Sequence, residues 1–192
     1  HFASKSAMDI DGLGEKVVDQ LVEKGMINSI SDLFLIAKNK LSKIERFGEK
    51  SSENLILAIE RSKRTIFSRF IYGLGIRNVG EHISRLLEQY FNGDLTQFSE
   101  STIDELESIE GVGPIVAKEV VQFWSNNTNM KIVKECLEGG VTLKWEPNSQ
   151  RDIFEGAIFV FTGSLEKLNR KEAKEKVYNL GGKTSSSVSK KT

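Results

Sequence analysis

The amino-acid sequence predicts a mainly α-helical protein: four tandem repeats of two helices joined by a glycine hairpin, followed by a truncated α/β segment. Three observations predict it. One short pattern (apolar, two turn residues, apolar, Gly, then an acid or Pro opening a helix) occurs four times. The copies run Ile10-Asp11-Gly12-Leu13-Gly14-Glu15, Ile44-Glu45-Arg46-Phe47-Gly48-Glu49, Ile76-Arg77-Asn78-Val79-Gly80-Glu81 and Ile109-Glu110-Gly111-Val112-Gly113-Pro114. Their second glycines lie 34, 32 and 33 residues apart, the spacing of a repeat whose unit is one supersecondary element. Beyond about residue 145 the apolar pattern changes from helical to strand-like.

The elements follow in order. After Gly14, Val17, Val18, Leu21 and Val22 form one helical face, and Gly25 is a C-terminal stop. Ser31-Asp32 opens the next helix, with Leu33, Phe34, Ile36 and Ala37. Ser51 or Ser52 caps a third, carrying Leu55, Ile56 and Ile59. Ile66, Phe67, Phe70 and Ile71 mark a fourth before Gly73. Following Gly80 come Ile83, Leu86, Leu87, Tyr90 and Phe91, ended by Asn92-Gly93. Thr102 with Glu105 makes a capping box before Leu106 and Ile109. Pro114 suits a first helical turn, where its missing N–H costs nothing, and Val116, Ala117, Val120, Val121 and Trp124 continue that helix. A last helix, about Thr128 to Glu138, stops at Gly139-Gly140, so residues 1–145 read as nearly all helical. Residues 146–152 are a polar linker. In 153–192, Ala157 to Thr162 reads as a buried strand, Arg170 to Leu180 as a helix, and a second strand follows Gly181-Gly182. This is the start of a βαβ unit and too short to close a sheet.

The totals narrow the function classes. Lys+Arg and Asp+Glu are both 27, so no global basic footprint marks a nucleic-acid binder, and any phosphate contact must come from backbone donors and a few placed cations. Cys136 is the one cysteine. In its apolar context it is expected to be a packing thiol of a reduced, cytoplasmic protein. No apolar run has transmembrane length and no signal peptide is visible. The chain opens on His1 rather than Met, from which it is expected to be part of something longer.

The hairpins carry the chemistry. Two small or turn-tolerant residues flank an apolar anchor just before a helix, which aims backbone N–H groups outward at the helix N-terminus, a ready anion site. Tight turning alone would explain the glycines of a single copy; four copies with matched anchors point to phosphate. The candidate contacts are Gly12, Leu13, Gly14 and Lys16 in the first copy, and Arg46, Gly48 and Lys50 in the second. Arg77, Asn78 and Gly80 follow in the third, and Gly111, Val112, Gly113 and Lys118 in the fourth. Asn78 tolerates a left-handed backbone where a glycine is replaced, and Arg46 at the equivalent position places a cation beside the site. The Arg61-Ser62-Lys63-Arg64 run reads as surface. Catalytic signals are thin: His1 and His82 are far apart, and there is no Walker loop or metal-ligand spacing. A DNA glycosylase on such a hairpin would carry an essential Asp downstream, yet none lies between Asp104 and Asp152.

The hairpin pattern resembles the helix-hairpin-helix motif, and four in a row resemble the C-terminal half of bacterial NAD-dependent DNA ligases. His1 through Gly14 is similar to the segment after that family's four-cysteine zinc finger. Phe47-Gly48-Glu49-Lys50-Ser51 leading to Ala58 through Lys63, Tyr72 through Glu81, and Glu110 through Pro114 resemble its second, third and fourth hairpins. Phe154-Glu155-Gly156 through Gly163, with Gly181-Gly182-Lys183 and the tail to Thr192, resemble the opening of a BRCT domain, in which Thr162 and Gly163 would be phosphate contacts. The resemblance implies a parent enzyme that seals nicks in replication and repair, using NAD, magnesium and a structural zinc, with none of these bound by this piece. It further implies non-sequence-specific gripping of nicked double-stranded DNA by a monomer working beside upstream ligase domains in cis, in a bacterial cytoplasm at the nucleoid. Its competitors are a non-enzymatic DNA-structure-binding scaffold of a repair complex, and an accessory region of a repair polymerase.

Overall fold

The computed structural model describes residues 1–37, 41, 48–145, 154, 157–163, 165, 168–180 and 182–185. It divides into two compact units, His1–Trp145 and Glu146–Thr192.

In the first unit the described elements are α1 (Glu15–Glu23), a 3-10 turn (Ser31–Leu35), α2 (Glu49–Ser62), β1 (Arg64–Ile66), α3 (Phe67–Gly73), α4 (Glu81–Tyr90), α5 (Leu95–Ser99), α6 (Ile103–Glu107), α7 (Pro114–Trp124), α8 (Asn127–Glu138) and β2 (Thr142–Lys144). Each helix gives the core one apolar stripe at helical spacing. Leu21, Leu55, Phe67, Phe70, Ile71, Leu87, Phe98, Leu106, Val120 and Cys136 are fully buried. Around Phe98, from α5, stand Phe67 of α3 and Phe91 at the end of α4, each with its ring 5.4 Å away, and Trp124 of α7 at 5.6 Å. Pro114 occupies the first turn of α7, and Thr102 Oγ1 accepts from the Glu105 N–H at 3.2 Å. Gly25 stops α1 at φ 62°, with the Met26 N–H reaching back to the Leu21 carbonyl, the Schellman pattern.

Several local expectations change. Residues 1–10 form consecutive turns rather than a helix. The buried residues Phe2, Ala7, Met8 and Ile10 make no helical stripe, and Arg69 of α3 ties the segment down through the Ala7 and Lys5 carbonyls at 2.7 and 2.6 Å. Val22 is exposed rather than core. Ser31 opens a 3-10 turn instead of an α-helix. Asp32 accepts the Asn28 and Ser29 N–H groups at 2.7 and 2.9 Å, and these bonds hold its carboxyl below the usual range. The cap of α2 is Gly48, not Ser51 or Ser52; the Ser52 hydroxyl lies inside the helix and donates to the Gly48 carbonyl at 3.1 Å. Ile66 ends a strand rather than starting a helix: Arg64–Ile66 pairs in parallel with Thr142–Lys144. The β-branched Thr65-Ile66 pair suits extended backbone, but its partner strand is distant in sequence.

Cys136 is fully buried. Burial first, and the Glu135 charge second, push its thiol up to about 12. The thiol is therefore expected to resist a thiol-specific reagent at pH 8 in the folded protein and to react on addition of denaturant, read by absorbance; labelling of the folded protein at the unfolded rate would contradict the burial. The folded state keeps this proton where the unfolded chain loses it, so its contribution to stability is complete below about pH 9 and declines as pH rises toward 12.

In the second unit, β3 (Ile158–Val160) and β4 (Lys183–Ser185) pair in parallel, Ile158 opposite Lys183 and Val160 opposite Ser185, with α9 (Arg170–Asn179) between them in the chain. The expected βαβ order is present. The strand is half-buried rather than buried, since among the described residues β4 is its one hydrogen-bonded neighbour. Ala173 and Val177 are the buried face of α9. No helix among the described residues is long and apolar enough to cross a membrane.

Candidate nucleic-acid interface

Three hairpins are described in full and share one construction. The Leu13, Val79 and Val112 N–H groups donate to the Ile10, Ile76 and Ile109 carbonyls at 3.2, 3.0 and 2.9 Å. The third turn position has positive φ in each, 81° at Gly12, 62° at Asn78 and 96° at Gly111, as a type II turn requires. The apolar anchors Leu13, Val79 and Val112 are buried beneath, so each turn is pinned by its centre while its glycines face solvent.

The next residue caps the following helix. Gly14 (φ −79°, ψ 171°), Gly48 (−74°, 175°), Gly80 (−87°, 179°) and Gly113 (−93°, 172°) have nearly the same backbone. That backbone is ordinary extended chain, which any residue adopts, and a Cβ at any of the four would meet no atom of the described residues within 4 Å. Neither conformation nor internal packing calls for glycine. Elsewhere the chain caps its helices with side chains: Asp94 accepts from Thr96 and Gln97, Thr102 from Glu105, and Asn126 from Thr128 and Asn129. At the four hairpins the cap residue is a glycine, which has no side chain to do so. In α1 the Val17 N–H donates to the Gly14 carbonyl at 3.0 Å. The first-turn N–H groups ahead of it, and their counterparts in the other three helices, have no cap side chain and stand at the positive end of the helix dipole.

The remaining candidates fall around these amides. Lys16, Lys50, Arg77 and Lys118 are exposed, and no ion pair to another described residue engages them. Asn78 is exposed in its turn. Arg46, with Lys43 and Phe47, lies outside the described residues. Gly12 differs from expectation, because its N–H is taken by Asp11 Oδ1 at 3.0 Å; in the first hairpin the open donors begin at Gly14. Hairpins three and four are brought together, as Leu86 of α4 lies against Gly111, its Cδ1 2.8 Å from where a Cβ would stand. One residue, Ser84, was missed, and Ser52 takes a role other than the expected cap. Ser52 and Ser84 each donate a hydroxyl to the carbonyl of the capping glycine four residues earlier, at 3.1 and 3.0 Å, fixing that peptide plane. Their shared place after Gly48 and Gly80 was the available signal. In the second unit Thr162 and Gly163 are exposed after β3, and the Gly163 carbonyl accepts from Arg170 at 3.1 Å.

The two glycines of the fourth hairpin separate turn strain from ligand access. Gly113→Ala is expected to leave thermal stability within about 1 kcal/mol. Gly111→Ala is expected to destabilise by more, about 1–3 kcal/mol, because the residue holds φ 96° and its Cβ would press on Leu86. Thermal melts of the two variants check the order.

This architecture defines a class: a tandem helix-hairpin-helix protein with an attached β-α-β segment. Family models agree, matching the helix-hairpin-helix motif over residues 69–133, the SAM-like helix-hairpin-helix tandem over 4–61, and the BRCA1 C Terminus (BRCT) domain over 149–192. Along its whole length the chain is 43% identical to a protein named DNA ligase from Desulfosudis oleivorans, 43% to one from Geotalea uraniireducens and 40% to one from Coxiella burnetii, covering 29%, 28% and 28% of those proteins. The chain is similar to these DNA ligases along its whole length and spans little more than a quarter of theirs.

Proposed function

We propose that this chain grips duplex DNA without reading its sequence, as the C-terminal portion of an NAD-dependent DNA ligase. The observation that carries the proposal is the set of four glycine-capped helix starts, open to solvent and left uncapped where the same chain caps other helices with Asp94, Thr102 and Asn126. Backbone N–H groups aimed at phosphates give affinity and orientation without base readout, and Lys16, Lys50, Arg77 and Lys118 add local charge to a chain of zero net charge. The natural ligand on this reading is nicked double-stranded DNA, held by a monomer beside further ligase domains of the same polypeptide, in the bacterial cytoplasm at the nucleoid.

On this proposal the NAD, magnesium and zinc of such an enzyme are held by other parts of the parent enzyme. Among the described residues no group of three His, Cys, Asp or Glu could hold a metal, and Cys136 is buried with its thiol pushed up to about 12. On this proposal nick sealing belongs to other parts of the parent enzyme. The test is fluorescence anisotropy with nicked duplex, intact duplex and single-stranded DNA across a salt series. Duplex binding that weakens linearly in log–log salt, equal for nicked and intact duplex, is the expected result. Absence of duplex binding at low salt overturns it.

A further inference from the structure

We infer that a groove beside the first hairpin, with a volume of about 470 Å³, receives the sugar–phosphate backbone of duplex DNA through Arg61, Arg64 and Lys144. This inference deepens the DNA-binding reading and rests on it. The groove is assembled from four parts of the chain: the turn before α1, the end of α2, the parallel pair β1–β2 and Arg69 of α3. The strand register builds its wall. Thr65 points inward, so Arg64 and Ile66 point outward together, and Ile66 pairs with Lys144 across the ladder. Arg61 comes from the last turn of α2.

Charge within the groove is unevenly committed. Asp9 lies 3.7 Å from the Arg69 guanidinium, which also donates to the Ala7 and Lys5 carbonyls. Asp11 accepts the Gly12 N–H. Asp9 and Arg69 thus engage each other, and Asp11 engages its own turn through one oxygen. Arg61, Arg64 and Lys144 are exposed and form no ion pair with another described residue. They flank Ile66, an exposed apolar side chain. Three cations with no ion pair among the described residues, around an apolar floor, match a ligand of alternating phosphate and deoxyribose. The groove also adjoins Asp11 in the turn of the first hairpin, so a strand held at Gly14 has a continuation here.

The test is the triple variant Arg61→Gln/Arg64→Gln/Lys144→Gln of the full 192-residue chain, with a control, Lys131→Gln/Lys134→Gln, that removes exposed lysines from α8. Both are titrated with an intact duplex across a salt series. The triple variant is expected to keep its melting temperature while its log–log salt slope falls by about 2–3, since each lost phosphate contact accounts for about 0.9. Its affinity at low salt is expected to fall about 100-fold, and the control to keep the slope of the parent chain. An unchanged slope in the triple variant, or an equal fall in the control, overturns the inference. Where the parent chain binds duplex and hairpin glycine variants weaken it but the triple variant does not, the groove alone is overturned; a parent chain that binds no duplex overturns the DNA-binding reading itself.

Discussion

Gly14→Ser and Gly80→Ser are each expected to raise stability and lower DNA affinity at once. Serine is a better helix cap than glycine because its hydroxyl accepts the open N–H of the first turn, a gain of a few tenths of a kcal/mol per site. Both positions have extended backbone and space for a Cβ, and the Ser84 hydroxyl already steadies the Gly80 carbonyl, so the turn has no reason to move. The added side chain occupies the amides that a phosphate would use, and it fills the approach. A hydrogen bond to a charged group contributes about 1.5–3 kcal/mol, so each variant is expected to lose about 10- to 100-fold in duplex affinity while its melting temperature holds or rises. Few substitutions move folding and binding in opposite directions, which makes this pair decisive. Anisotropy with thermal melts reads both quantities. Unchanged affinity in both variants would remove these helix starts from the contact surface.

The hairpins were legible because their determinants are local. A turn residue with positive φ, a buried anchor at the next position and a glycine cap all lie within six residues, and the pattern repeats at a fixed period. Pro114 and Thr102 were readable for the same reason, each acting inside its own first turn. What escaped depends on partners remote in sequence. The strand at Arg64–Ile66 exists because Thr142–Lys144 lies beside it, and no local signal connects the two. The turns of residues 1–10 are held by Arg69, so periodicity there was uninformative. The Arg61 to Arg64 run looked like solvated surface because it contains two different fates. Lys63 pairs with Glu60 at 2.6 Å and Ser62 is buried, whereas Arg61 and Arg64 open into a groove whose third cation, Lys144, comes from the far end of the unit. Composition failed in a related way: a net charge of zero averages over the open amides and local cations on which phosphate binding depends.

Phe98→Ala is expected to cost about 3–5 kcal/mol of stability, and to abolish duplex binding through geometry rather than through any lost contact. Phe98 is fully buried, and no Cβ at a hairpin glycine would come within 4 Å of it. Its ring instead joins α3, the end of α4 and α7 through Phe67, Phe91 and Trp124. These elements carry the third and fourth hairpins, so on the proposed reading Phe98 fixes the spacing of two amide sites that would meet one duplex together. Each site alone offers a few hydrogen bonds. Their joint affinity comes from rigid linkage, which makes the second contact effectively intramolecular. A cavity at this junction lets the hairpins shift while each turn keeps its own hydrogen bonds. The loss in affinity should therefore persist at temperatures well below the lowered melting transition, where circular dichroism still shows helix. Phe98→Leu, which refills most of the volume, should recover the larger part of both quantities. A Phe98→Ala protein that is destabilised yet binds duplex normally when cold would show that the hairpins engage DNA independently, and the four-point grip would reduce to separate weak contacts.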